Sequence, residues 1–124
     1  MKFRIRMGIP EIQSFWNDLV ERDAAGALGG QERKLFKQIV KALYFLEHNP
    51  RHNSLQSHEI GPLSNRVGYK IFQSYLENQT PGAGRIYWAY GPNDGEISIL
   101  GIEPHPEDRK SRGYDRVRLS SMPR

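Results

Sequence analysis

The chain predicts an α+β fold of two layers, in which one antiparallel twisted sheet packs on a helical hairpin. Three observations lead there. An N-terminal segment alternates with period two, two stretches carry apolar residues at helical spacing, and three β-rich segments follow with short turns between them. The predicted order is β-α-α-β-β-β, ending in a basic segment.

Residues 2–7 set Phe3, Ile5 and Met7 against Lys2, Arg4 and Arg6, the alternation of a half-buried strand. Gly8 breaks it. Pro10 suits the first turn of a helix, and Glu11 is favourable near its positive end. Ile12, Phe15, Trp16, Leu19 and Val20 then recur at helical spacing, with Asn17, Asp18, Glu21 and Arg22 on the other side. Gly26, Gly29 and Gly30 mark the connection. A second helix over residues 31–48 carries Leu35, Phe36, Ile39, Val40, Leu43 and Leu46 as its apolar stripe, and Asn49-Pro50 stops it. Two such helices across a short glycine-rich turn make an αα-hairpin. Residues 51–67 are polar, with irregularly spaced Leu55, Ile60 and Leu63, and read as a long connection without regular structure.

Residues 69–76, 85–90 and 97–102 read as strands, separated by the loop 78–84 and the strong turn Gly91-Pro92-Asn93-Asp94-Gly95. Short turns between successive strands imply an antiparallel meander. One face of this sheet takes the hairpin, and the other is expected to be left to solvent or a ligand. Residues 103–124 begin with two closely spaced prolines and show no clear pattern. Trp16 and Trp88 sit within apolar periodicity and are assigned to the core.

Composition narrows the function classes. A chain of 124 residues without cysteine forms one domain, has no disulfide framework and has no Cys-ligated zinc site. Hydrophobic residues at 37% and charged residues at 26% are ordinary for a globular domain. No apolar run approaches the roughly 20 residues of a membrane span, and the charged N-terminus is unlike a signal peptide. The expectation is a soluble, cytoplasmic protein. The net charge of +4 is unevenly placed: residues 1–108 carry 12 cations against 13 anions, and residues 109–124 carry six cations against Asp115 alone. Such a segment draws a phosphate-rich partner or is simply solvated. His48 and His52 have i, i+4 spacing, but Asn49-Pro50 between them breaks the helix, so no metal site is expected.

Several of these segments together resemble the RelE/ParE superfamily of toxins from bacterial type II toxin–antitoxin modules. The resemblance lies in the helix end Leu43-Tyr44-Phe45-Leu46-Glu47-His48-Asn49-Pro50-Arg51, in Gly68-Tyr69-Lys70-Ile71, in Gly84-Arg85-Ile86-Tyr87-Trp88-Ala89-Tyr90, and in Ile97-Ser98-Ile99-Leu100-Gly101-Ile102 with Tyr114 beyond it. It covers roughly residues 33–115. It implies one of two activities: metal-free cleavage of messenger RNA on the ribosome, or inhibition of DNA gyrase. Either is held in check by a cognate antitoxin.

Metal-free RNA cleavage needs a base for the 2′-hydroxyl proton, cations around the phosphorane and an acid for the leaving 5′-oxygen. By the resemblance, Lys70 and Arg85 bind phosphate, with Arg109 and Lys110 as further RNA contacts. His105 is the acid or base; an ordinary imidazole titrates near pH 6.5, roughly where such work is done. Arg112 stabilises the phosphorane, and Tyr114 stacks on a base or shuttles a proton. Taken singly, each is equally compatible with a surface side chain. The chain departs from the nucleases at Phe72, where they often carry a second basic residue. Glu107 and Asp108 add negative charge beside the phosphate site, and the N-terminal strand and first helix are longer than in the smallest relatives. A gyrase inhibitor or an inactive, protein- or RNA-binding relative is the alternative.

Overall fold

The structure, a computed structural model, describes residues 2–77, 84–103 and 117–124. Its elements are β1 (Arg4–Met7), α1 (Glu11–Ala24), α2 (Gly30–His48), a single 3-10 turn (Asn53–Leu55), β2 (His58–Glu59), α3 (Gly61–Val67), β3 (Phe72–Tyr75), β4 (Arg85–Tyr90) and β5 (Glu96–Glu103). The strands form one sheet in the order β1-β5-β4-β3-β2. The expected meander is present: β3, β4 and β5 pair antiparallel. β1 returns beside β5 and pairs with it in parallel, so the sheet is mixed. No described helix is long and apolar enough to cross a membrane.

The two long helices form the predicted hairpin. Trp16 stacks on Phe36 with centroids 5.4 Å apart, and nearer the turn Arg22 pairs with Glu32 at 2.8 Å. These contacts run in opposite chain directions, as antiparallel helices require. The hairpin buries Ile12, Leu19, Ile39, Ala42 and Leu46 against Phe72, Ile86, Trp88, Ile97 and Ile99 of the sheet. Trp88 is fully buried, and its indole N–H donates to the Ser74 hydroxyl at 2.8 Å. Two stripe residues lie outside this core: Val20 and Val40 are 41% and 44% exposed. Helical spacing marks a wide arc, and its margins stay wet where the sheet does not reach.

Residues 51–67 are not a structureless connection. They hold the 3-10 turn, β2 and α3. Pro62 sits in the first turn of α3, and Gly68, at φ 87°, ends it in the left-handed conformation glycine adopts most easily. Helix α3 is too short for periodicity to show, and the two residues of β2 are too few for alternation.

The second face of the sheet is covered as well, contrary to expectation. Ile60 and Leu63, with the C-terminal Val117, bury Ile71, Tyr87, Ala89 and Leu100 beneath them, and Leu119 and Met122 pack at the margin. Residues 117–124 therefore lie across the sheet as a strap. Ser120 N–H donates to Leu100 O at 2.8 Å, Ile9 and Ser121 exchange two backbone bonds, and Arg66 Nη1 donates to Val117 O at 2.6 Å. Two glycines permit this close approach. A Cβ on Gly8 would lie 2.8 Å from Ser120 Cβ and 2.9 Å from Ile99 O, and one on Gly101 would lie 3.0 Å from Arg118 O.

The strap also starts a helix. Pro10, the N-cap of α1, offers no side-chain cap. Instead Ser120 Oγ, 108 residues away, accepts the Ile12 N–H at 3.1 Å and donates to Glu11 Oε1 at 3.2 Å. It satisfies one of the orphan donors of the first turn, as a local serine cap would.

At the other side of β1, the buried Glu96 joins three pieces. It takes Arg6 Nη1 at 3.2 Å and both the backbone and the side-chain N–H of Asn93 at 3.2 and 3.0 Å. Burial pushes this carboxyl up. Arg6 and the Asn93 hydrogen bonds outweigh that and hold it below the ordinary range.

Candidate functional site

Two in-register rows cross the second face. One, Tyr75–Arg85–Glu103 across β3, β4 and β5, is half-buried among the described residues; the next, His58–Gln73–Tyr87–Gly101 across β2 to β5, has Gln73 and Tyr87 buried and Gly101 against the strap. Directly opposed residues share a face with Cβ atoms roughly 5 Å apart. Ile86 and Trp88 turn to the hairpin, so Arg85 and Tyr87 turn to the second face.

Glu103 reaches this face because of a β-bulge. Tyr87 pairs with Gly101 but Trp88 pairs with Ile99, which leaves Leu100 as an extra residue on β5. The extra residue reverses the alternation. Ile99 and Ile102 thus both enter the hairpin core, and Glu103 joins Arg85 instead of facing the helices.

The row is chemically mixed: a phenol, a guanidinium and a carboxylate, each half-buried. Arg85 makes no ion pair or hydrogen bond with any described residue. Its planar fork of donors has the geometry to take a bidentate anion such as phosphate. Beside it, Gln73 is 1% exposed and its Oε1 has no hydrogen-bond partner among the described residues. A buried unpaired acceptor costs about 1–3 kcal/mol. Its cost is borne on this face, next to Arg85. Tyr69 packs at the margin of the same cluster, and burial pushes its phenol up.

Of the residues singled out in the sequence, Arg85 stands in β4 as expected. Lys70 is exposed and precedes β3, which starts at Phe72 and not at residue 69. Tyr69 and Ile71, on either side of it, both pack in the second-face cluster, so an extended chain turns Lys70 the other way. The structure does not bring Lys70 to the Arg85 row. His105, Arg109, Lys110, Arg112 and Tyr114 lie outside the described residues. Phe72, at the position where the nucleases often carry a second basic residue, is a core residue stacked on Trp88 at 4.8 Å.

The sequence does not single out Gln73, Tyr75 or Glu103. Gln73 does carry a signal, as a polar residue within an apolar strand. The other two become neighbours of Arg85 only through strand register and the bulge. Among the described residues, no group of three or more His, Asp or Glu side chains could hold a metal ion.

No family model matches the chain, and no curated protein or solved structure matches it.

Proposed function

We propose that the protein is a RelE-like toxin, a ribosome-dependent, metal-free endoribonuclease of messenger RNA that is neutralised by a cognate antitoxin. The observation that carries this reading is Arg85. It is a half-buried guanidinium without an ionic partner among the described residues, set in register between a phenol and a carboxylate on the second face of the sheet. In the proposed reaction the 2′-hydroxyl oxygen attacks the adjacent phosphorus and gives up its proton to a base. The 5′-oxygen leaves with a proton from an acid, and a 2′,3′-cyclic phosphate remains. Arg85 would hold the phosphate, while Tyr75 and Glu103 supply groups able to move protons beside it. His105 and Arg112 keep the roles that the resemblance implies, acid or base and phosphorane stabiliser, with Tyr114 for stacking. Arg109 and Lys110 add RNA contacts.

Induction in a growing bacterium, with transcript 5′ ends mapped before and after, tests the reading. New ends inside translated codons that vanish when translation is blocked are the expected result. Arg85→Ala, His105→Ala and Arg112→Ala should each lower their number by about a hundredfold or more. Undiminished cleavage in these variants would overturn the assignment.

One observation favours a second reading. Phe72 is buried in the hairpin core, so β3 offers no cation at that position. A non-enzymatic inhibitor of DNA gyrase needs none. Growth arrest with intact transcripts would select it.

A further inference from the structure

One cavity opens on the hairpin side of the sheet. It holds about 260 Å³ between α2, the 3-10 turn and the end of β3. β2 pairs only with Phe72 and Gln73, so among the described residues the outer edge of β3 is open at Tyr75, and the cavity forms there. Ala42, Phe45, Leu55 and Leu76 supply its apolar walls. Phe45 is steadied by His52, stacked on it with centroids 4.1 Å apart. Apolar walls with a few fixed polar groups suit a flat heteroaromatic ring.

The polar groups of the cavity are chiefly acceptors. Glu77 Oε2 takes the Gln38 side-chain N–H at 3.1 Å, which leaves Glu77 Oε1 and Gln38 Oε1 without a partner among the described residues. Two acceptors on groups already bonded to each other match a pair of adjacent N–H donors. Guanine is the one common nucleobase whose edge carries such a pair, N1–H beside the N2 amine.

The rim is cationic. Lys41 lines the cavity, and Lys34, Lys37 and Tyr44 continue its stripe along α2 at helical spacing, over about 15 Å. All four are exposed, and none of the three lysines joins an ion pair with a described residue. Residues 33–52 carry five cations against Glu47 alone, and Glu47 lies 3.9 Å from Lys2. Tyr44 is 57% exposed. His48 sets its ring, with centroids 4.2 Å apart, and His48 Nδ1–H donates to Tyr44 O at 2.8 Å. Single-stranded nucleic acid is held by this combination, with bases stacked on rings and phosphates along cations.

We infer that the cavity binds a guanine in a single-stranded RNA. The base edge meets Glu77 and Gln38, the phosphates follow Lys41 and Lys37, and a neighbouring base stacks on Tyr44. The stripe reaches well past the cavity, which favours a strand over a free nucleotide. The choice of RNA over DNA rests on the proposed function; the base and phosphate contacts do not.

Labelled decanucleotides of 2′-O-methyl RNA, which cannot form a cyclic phosphate, test it against the full chain by fluorescence anisotropy at low salt. A uridine strand with two central guanines should bind at least about tenfold more tightly than all-uridine. Glu77→Gln should erase that preference. Lys37→Gln/Lys41→Gln should weaken both strands and lower the salt dependence by about one to two phosphate contacts. Tyr44→Ala should weaken them about fivefold or more, and Tyr44→Phe should not. Equal binding of the two strands, a preference that survives Glu77→Gln, or no saturation by about 1 mM would overturn the proposal. A salt dependence unchanged in the lysine variant would assign binding to the basic segment 109–124 and overturn it. So would tighter binding of the DNA strand, or guanosine monophosphate competing as well as the strand. No cleavage enters this assay, so its failure is distinct from a failure of the transcript mapping.

Discussion

The two faces of the sheet are covered by different means. On one side, the long helices α1 and α2 lay a continuous apolar stripe against Phe72, Ile86, Trp88, Ile97 and Ile99. On the other, the seven residues of α3 and the C-terminal strap do the same for Ile71, Tyr87, Ala89 and Leu100. The hairpin face is held mainly by hydrophobic burial, which needs no fixed geometry. The strap face relies on specific backbone bonds, on two glycines that admit a chain at close range, and on one serine hydroxyl. The candidate site lies on the second face, at the Tyr75–Arg85–Glu103 row, which the described residues leave half-buried.

The sharpest break of this comparison is on the hairpin side. Leu46→Ala, at a fully buried position of α2, should cost about 2–5 kcal/mol in chemical denaturation. Its effect should spread through the whole fold. Gly8→Ala attacks the strap instead. Its Cβ would meet Ile99 O, a backbone atom that cannot swing aside, and the expected loss is about 1–3 kcal/mol. Amide exchange should then show Ile9 and Ser121 released while α2 stays protected. Ser120→Ala removes the remote cap of α1 without adding bulk, with an expected loss of about 1 kcal/mol. A larger loss than for Gly8→Ala would mean that the hydroxyl, and not the close approach, holds the strap.

Acid should test the β1 side of the sheet. The Glu96 carboxyl is held below its ordinary value of 4.5, so its contribution is complete above that pH and fades as pH falls through the depressed value. Glu96→Gln should flatten stability against pH across that acid range, and the Arg4 and Gly8 amides should open before those of α2. Arg85→Ala is the smallest perturbation. A half-buried arginine without an ionic partner among the described residues should leave stability within about 0.5 kcal/mol, while the proposed cleavage is lost. A large loss of stability would recast Arg85 as a structural residue.

Much of the fold is legible in the chain, and the reason is locality. Helical spacing over residues 31–48 and period two over residues 2–7 mark α2 and β1, and Gly91-Pro92-Asn93-Asp94-Gly95 marks the turn before β5. Arg85 is legible too, as a cation opening a strand. Elements too short to show a period are not, which is why residues 51–67, with α3 and β2, read as loop in the sequence. The start of β3 differs for a related reason: aromatic and branched residues from 69 onward suggest a strand, but Gly68 and the Ser64 hydroxyl bonded to Ile71 N–H hold the chain out of the ladder until Phe72.

The sequence alone determined the α+β class, the hairpin, the antiparallel meander and the core role of Trp88. Each follows from side-chain pattern within a dozen residues. Only the tertiary structure decided that β1 lies parallel beside β5, that residues 117–124 strap the second face, and that Ser120 caps a helix 108 residues away. It also decided that one extra residue at Leu100 turns Glu103 toward Arg85. These depend on register and close approach between distant parts of the chain, where one residue more or one Cβ more changes the outcome, and no local periodicity carries that information.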